Sequence, residues 1–229
     1  MTKSVFVTAT GTDIGKTYVS ALLVKKMRDL GLNCGYYKPA LSGARRVDDS
    51  LIPGDCEFVV NMANLKVKPS DCVTYCFEEA VSPNLAASRT GENIEIPVIK
   101  REFSKILADY DYMVVEGAGG ITCPFRLDDE TVLLPDVIKA LDLGIVIVAD
   151  GGLGTINSVL LTVEYAKSRG LIILGIILNN FDKDDFMHQD NKVQVERLTG
   201  IKVIATVTKG DKDLDIESGE LLKIFTSEV

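Results

Sequence analysis

The chain has 229 residues, 46% hydrophobic and 25% charged, with a formal net charge of −8. That acidic balance argues against a nucleic-acid surface, which needs clustered basic side chains, but it leaves room for a nucleotide held by a few local donors. Five cysteines without a CxxC pair, and one histidine, argue for reduced thiols and against a disulfide framework, a zinc cluster or a histidine-dependent nucleophile.

Residues 4–8 (SVFVT) form the first predicted strand and lead directly into a glycine loop. A helix is predicted over 16–30, where apolar residues recur at helical spacing and Gly31 supplies a C-terminal cap. The next strand, 34–37, is followed by Lys38-Pro39, and the proline biases Lys38 toward an extended backbone. Residues 41–54 read as a long loop, a feature that tends to carry function in compact domains. Further strands are predicted at 112–115, 145–149, 172–178 and 202–207, with a helix over 155–169 that stops at Gly170. His188 lies in a polar stretch and reads as a solvated surface residue. Most of the strand runs are continuously apolar rather than alternating, as in strands buried on both faces of a parallel sheet. Strand–helix–strand repetition then gives a doubly wound α/β fold, mostly parallel and flanked by helices. The run at 4–8 is too short for a signal peptide, no apolar run is long enough to span a membrane, and 221–229 lacks the character of a basic amphipathic tail. We therefore expect a cytoplasmic protein without a membrane partner.

The sharpest local signal is Ala9-Thr10-Gly11-Thr12-Asp13-Ile14-Gly15-Lys16-Thr17, set between a predicted strand and a predicted helix. A helix start offers unpaired N–H groups and a positive dipole end, which together attract phosphate. Gly15 lets the backbone approach closely, Lys16 can reach the β- and γ-phosphates, and the Thr17 hydroxyl can ligate magnesium. The expected architecture is thus one P-loop α/β domain over 1–229.

Magnesium needs further oxygen ligands. Glu116 ends the 112–115 strand ahead of Gly117-Ala118-Gly119-Gly120. Ligands gather at the carboxyl ends of strands in such sheets, so Glu116 should face the phosphates, with the glycines letting the backbone crowd a ligand. Asp55 follows Pro53-Gly54 and is either a helix N-cap or a ligand. Lys38 is either a solvated strand-end lysine or a second phosphate-site cation.

Taken in order, Gly15-Lys16-Thr17, Gly35-Tyr36-Tyr37-Lys38-Pro39, Ser42-Gly43, Asp55, Ser82-Pro83, Val115-Glu116-Gly117-Ala118-Gly119-Gly120, Leu153-Gly154-Thr155-Ile156-Asn157 and Asn179 resemble the dethiobiotin synthetase family, from residue 5 to about 180. The resemblance implies an ATP-dependent cyclo-ligase acting on 7,8-diaminononanoate and CO₂, with Mg²⁺. Its implied ATP-binding residues are Asp13, Ile14, Gly15, Lys16, Thr17, Tyr18, Asp55, Glu116, Gly117, Ala118, Gly119, Asn179 and Asn180, with Asn179 at the adenine. It implies Thr17, Asp55 and Glu116 as metal ligands, and Lys16 and Lys38 as catalytic lysines. Thr12, Lys38 and Ser42 are implied substrate contacts, and Thr155, Ile156 and Asn157 are implied to hold the substrate carboxylate across a homodimer interface. The chain departs from the family pattern at Ala9-Thr10-Gly11, Asp13, Asn180 and Val207-Thr208-Lys209-Gly210. Amidotransferase-type synthetases share similar motifs but carry a glutaminase domain, for which the residues after about 200 are too few. Partitioning ATPases usually carry an extra lysine early in the loop, where Thr10 and Gly11 stand here.

Overall fold

The computed structural model describes residues 3–226. The first half of the chain forms β1 (Lys3–Ala9), α1 (Lys16–Asp29), β2 (Cys34–Leu41), β3 (Arg45–Val47), β4 (Ser50–Ile52), α2 (Gly54–Met62), β5 (Val73–Cys76), α3 (Pro83–Thr90) and α4 (Ile96–Leu107). The second half forms β6 (Tyr112–Glu116), β7 (Pro124–Leu127), β8 (Thr131–Leu133), α5 (Leu134–Leu141), β9 (Ile145–Asp150), α6 (Thr155–Ser168), β10 (Ile173–Asn179), α7 (Phe186–Thr199), β11 (Val203–Thr206) and α8 (Ser218–Thr226). Seven strands make one sheet in the order β11-β10-β9-β1-β6-β2-β5, and every pairing in it is parallel. Residues 227–229 of the 221–229 stretch lie outside the described residues, and no described helix is long and apolar enough to cross a membrane.

The continuous apolar runs have the physical cause expected of them. In β1, Val5, Val7 and Ala9 face one core with Leu22 of α1, Val59 of α2 and Leu221 of α8. Phe6 faces the other core with Phe103 of α4, Val137 of α5 and Val163 of α6. β9 divides in the same way, with Val146 and Val148 on one side and Ile145 and Ile147 on the other. Side chains alternate along a strand, so a strand covered on both faces must be apolar at every position. Each fully buried Val, Ile or Phe among them contributes about 1.5–3 kcal/mol.

Both predicted helices stop where glycine allows a left-handed residue. Gly31 has φ 78°; its N–H bonds the Arg28 carbonyl, and that of Leu32 bonds Met27. Gly170 repeats the arrangement after α6, with Lys167 and Ala166 as acceptors. These crossed bonds satisfy the last helical carbonyls.

Three expectations are corrected. The strand predicted at 34–37 continues to Leu41, because its pairing passes from β6, through Tyr37, to β5, from Lys38 onward. Residues 41–54 are not a bare loop: β3 and β4 form an antiparallel hairpin there, with Arg45 opposite Ile52. His188 is half-buried rather than solvated; its Nδ1 accepts the Asp182 N–H at 2.9 Å and its ring packs on Phe181.

From β1 the chain crosses outward to β2 and β5, returns to β6, and only then builds β9, β10 and β11 on the far side. The loops after β1 and β6 therefore meet at the middle of the sheet, where a doubly wound fold opens a crevice.

Candidate active site

A cavity of about 1110 Å³ opens at this point. Thr12, Asp13, Gly15, Lys16, Thr17, Tyr18, Lys38, Ser42, Asp55, Glu116, Ala118 and Gly119 all line it. Sequence reasoning assigned no role to other parts of its wall: Leu41 at the end of β2, Phe58 of α2, Ala80 to Pro83 at the start of α3, and Thr122, Cys123 and Pro124. Ser82 and Pro83 carried a local signal, since Ser82 caps α3 through the Leu85 N–H and Pro83 occupies the first turn.

The phosphate loop wraps the start of α1. Gly15 is the N-cap at φ 89°, a left-handed conformation. A Cβ there would lie 2.1 Å from Asn179 Nδ2, so glycine is required on both counts. Asn179 holds the loop from beneath by donating to the Ile14 carbonyl at 2.8 Å. Lys16 bends back to the Gly11 carbonyl at 3.2 Å. Burial lowers its pKa below the ordinary lysine value, opposed by Glu116 and reinforced by the Lys38 ammonium.

Glu116 is the hub of the site. It stands opposite Val7 at the end of β6 and is 0% exposed. Oε1 accepts from Thr17 Oγ1 at 2.8 Å and from Lys38 Nζ at 2.6 Å. Oε2 accepts from the Tyr36 hydroxyl at 2.8 Å, a partner that sequence reasoning missed because a tyrosine in an apolar run reads as core.

Asp55 lies in the first turn of α2 and is not its cap; that position belongs to Pro53. Its carboxylate meets Lys38 Nζ at 2.7 Å. Burial alone would depress the Lys38 pKa, but Glu116 and Asp55 outweigh it and hold the ammonium above its ordinary value. Lys38 is 3% exposed, so the solvated strand-end alternative is excluded.

The glycines after Glu116 are required by close packing. A Cβ on Gly117 would press on Leu134 and Phe6, and one on Gly120 would meet the Gly11 backbone at 3.3 Å. The run thus brings the β6 loop against the phosphate loop. Ser42 lines the cavity with its hydroxyl donated to the Val81 carbonyl at 2.6 Å. Tyr18 donates its hydroxyl to the Asp211 carbonyl, tying α1 to the loop after β11.

Not every candidate converges here. Ile14, Gly117, Asn179 and Asn180 do not line the cavity. Asn180, just after β10, donates to Asp150, the last residue of β9, at 2.8 Å. Thr155, Ile156 and Asn157 open α6 outside the cavity, and the Thr155 hydroxyl is buried without a hydrogen-bond partner.

The donor set suits a hard cation. The Glu116 and Asp55 carboxylates both meet the Lys38 ammonium, and the Thr17 hydroxyl bonds Glu116, an all-oxygen set of the kind Mg²⁺ prefers. Cys123 also borders the cavity; burial pushes its thiol up to about 11, against the pull of Lys16 and Lys38, so it stays protonated.

A family model described as an AAA domain matches residues 3–213. Proteins named ATP-dependent dethiobiotin synthetase from Clostridium botulinum strains Eklund 17B and Loch Maree are each 46% identical over 225 residues, covering 98% of this chain and 99% of the relative. Among solved structures, a ParA family ATPase from Chlorobium tepidum TLS has a TM-score of 0.55 at 14% identity, covering 100% of this chain and 90% of that one. The MinC:MinD cell division protein complex of Aquifex aeolicus gives 0.54 at 16% identity, with 92% and 82% covered. Likeness at those identities speaks for the fold alone. Matched along nearly its whole length by relatives at 46% identity, and carrying the AAA domain, the chain belongs to the ATP-dependent dethiobiotin synthetase family.

Proposed function

We propose that the chain makes dethiobiotin from 7,8-diaminononanoate, CO₂ and ATP, releasing ADP and phosphate. The observation that carries this reading is the convergence of Lys16, Lys38, Thr17, Asp55 and Glu116 on one cavity at the carboxyl ends of β1, β2 and β6. A partitioning or signalling ATPase needs the first lysine and a metal site. A second buried lysine beside them suits a reaction that must also neutralise a carboxylated amine.

In this reading one amine of the substrate captures CO₂ as a carbamate. A carbamate oxygen attacks the γ-phosphorus of ATP and ADP leaves. The second amine then attacks the carbamoyl carbon, phosphate leaves, and the ureido ring closes. Lys16 and the amides of the phosphate loop hold the β- and γ-phosphates. Lys38 holds the carbamate and the shared phosphoryl oxygens. Ser42 and Thr12 contact the substrate, and Asn179 and Asn180 lie on the nucleotide side. Thr17, Asp55 and Glu116 are the groups that would hold Mg²⁺, which supplies charge neutralisation on the phosphates. No covalent enzyme nucleophile is needed, in keeping with the protonated Cys123. The protein's work is positioning and electrostatic stabilisation.

The active form in this reading is a homodimer. Leu153 is 92% and Phe186 87% exposed, and Leu161 of α6 is also exposed, as expected of side chains that a second copy covers. The orphaned Thr155 hydroxyl at the start of α6 fits a carboxylate subsite at a helix N-terminus. The five free cysteines suit the reducing cytoplasm.

The test is ADP release measured with and without diaminononanoate and bicarbonate. Release is expected to require both. ADP release indifferent to the diamine would assign the site to a nucleotide-switch ATPase instead.

A further inference from the structure

The two oxygens of the Glu116 carboxylate have different tasks. Oε1 receives Thr17 and Lys38 and faces the cavity. Oε2 receives only the Tyr36 phenol among the described hydrogen bonds, at 2.8 Å. Tyr36 is 1% exposed and does not line the cavity. Its approach is fixed by sheet register: Tyr36 pairs with Val114 of β6, two residues before Glu116, so 114 and 116 point to the same face of the sheet. In that bond the phenol donates and the carboxylate oxygen accepts.

A buried carboxylate held at one oxygen can turn about its terminal bond. Held at both, it has one orientation. We infer that Tyr36 is a positioning residue: by holding Oε2 it presents Oε1 of Glu116 to Thr17, to Lys38 and to the metal that accompanies the nucleotide. The inference rests on the reading of Glu116 as a metal ligand. It also gives Tyr36 a purpose that core packing alone would not, since a phenylalanine would fill the same space.

The test is calorimetric binding of ADP, with and without Mg²⁺, to the parent, Tyr36→Phe, Glu116→Gln and the double variant. Tyr36→Phe is expected to weaken Mg²⁺·ADP binding roughly tenfold, the scale of one hydrogen bond to a charged group, and to leave metal-free ADP within about twofold. In the Glu116→Gln background the same change should add no further loss, because both act through one contact. Parent-like Mg²⁺·ADP binding by Tyr36→Phe, alongside an impaired Glu116→Gln, overturns the positioning role alone. Equal losses with and without metal make Tyr36 a structural residue and overturn it as well. A Glu116→Gln protein that binds Mg²⁺·ADP like the parent overturns the metal reading and this inference with it. Should the Phe variant not fold, the parent labelled with 3-fluorotyrosine serves. Its Tyr36 resonance is expected to move on adding Mg²⁺·ADP and not on adding ADP alone, and an unmoved resonance overturns the role.

Discussion

Lys38 Nζ lies 2.6 Å from Glu116 Oε1, and both side chains are buried. The pair is thus a buried ion pair with Asp55 as its partly exposed third member. Removing one partner of such a pair leaves an uncompensated charge in a site that water barely reaches, at a cost of about 3–5 kcal/mol. Lys38→Met keeps the apolar stem, but it should still lower the melting temperature. Mg²⁺ with ADP should restore more stability to the variant than to the parent, because the metal offers Glu116 and Asp55 a replacement charge. Thermal melts in chelator and in Mg²⁺·ADP check this. Equal metal-induced shifts in both proteins would count against it. Dethiobiotin formation should collapse while nucleotide still binds, because the lost interaction is strongest as charge moves between carbamate and phosphate.

Among the described hydrogen bonds Lys16 makes one, to the Gly11 carbonyl, so Lys16→Ala should fold. Losing one preorganised donor to the transferring phosphoryl group costs roughly 2.7–4 kcal/mol, or about 10²–10³ in kcat. Single-turnover ADP formation measures it. Near-parent turnover in a folded variant would sink the phosphate-loop assignment.

Asp55→Asn and Glu116→Gln should each raise the magnesium concentration needed for activity, because Mg²⁺ prefers anionic oxygen. Their stabilities should part. Asp55 has a side chain 42% exposed, and its loss should be mild. Glu116 joins Thr17, Tyr36 and Lys38 in the interior, and its loss should be severe. Magnesium titrations that overlay the parent in both variants would remove these residues from the metal site.

How much of this was legible follows from what each residue's surroundings demand. The central strands were readable because burial on both faces writes itself into every position, as in β9. β5 and the two hairpins were not, since each is short and owes its existence to a neighbouring strand rather than to its own pattern. Lys16, Thr17 and Glu116 were readable because they stand beside glycines at strand ends. Tyr36 was not, because its value lies in a hydrogen bond across the sheet that no local spacing encodes. Asn179 was readable as part of a motif, but its support of the Ile14 carbonyl depends on β10 ending beneath the loop.

That support gives a prediction for Gly15. Gly15→Ala places a Cβ in a left-handed conformation, costing about 1–2 kcal/mol. It also drives the Asn179 amide off the Ile14 carbonyl, about 1–3 kcal/mol more for the orphaned group. Urea unfolding should register the sum, and ADP affinity should fall because the loop loses its floor. A variant with parent-like stability would mean that the loop adjusts freely and that Asn179 does not hold it.

The homodimer reading predicts complementation between differently damaged copies. Lys38→Met destroys the phosphoryl chemistry of its own cavity, whereas Asn157→Ala, on the exposed first turn of α6, should damage only the carboxylate subsite offered to the neighbouring copy. Each variant alone should make little dethiobiotin, the first through the rate of chemistry and the second chiefly through a raised KM for the diamine. Mixed and allowed to exchange subunits, they should form heterodimers in which one cavity keeps both its own Lys38 and the partner's intact helix start, so activity should reappear. Sedimentation should meanwhile show a dimer that Leu161→Asp weakens, because a buried charge there would have no partner. If the mixture stays as inactive as its parts while dimers demonstrably exchange, the α6 turn serves its own subunit or none, and the shared-site reading fails.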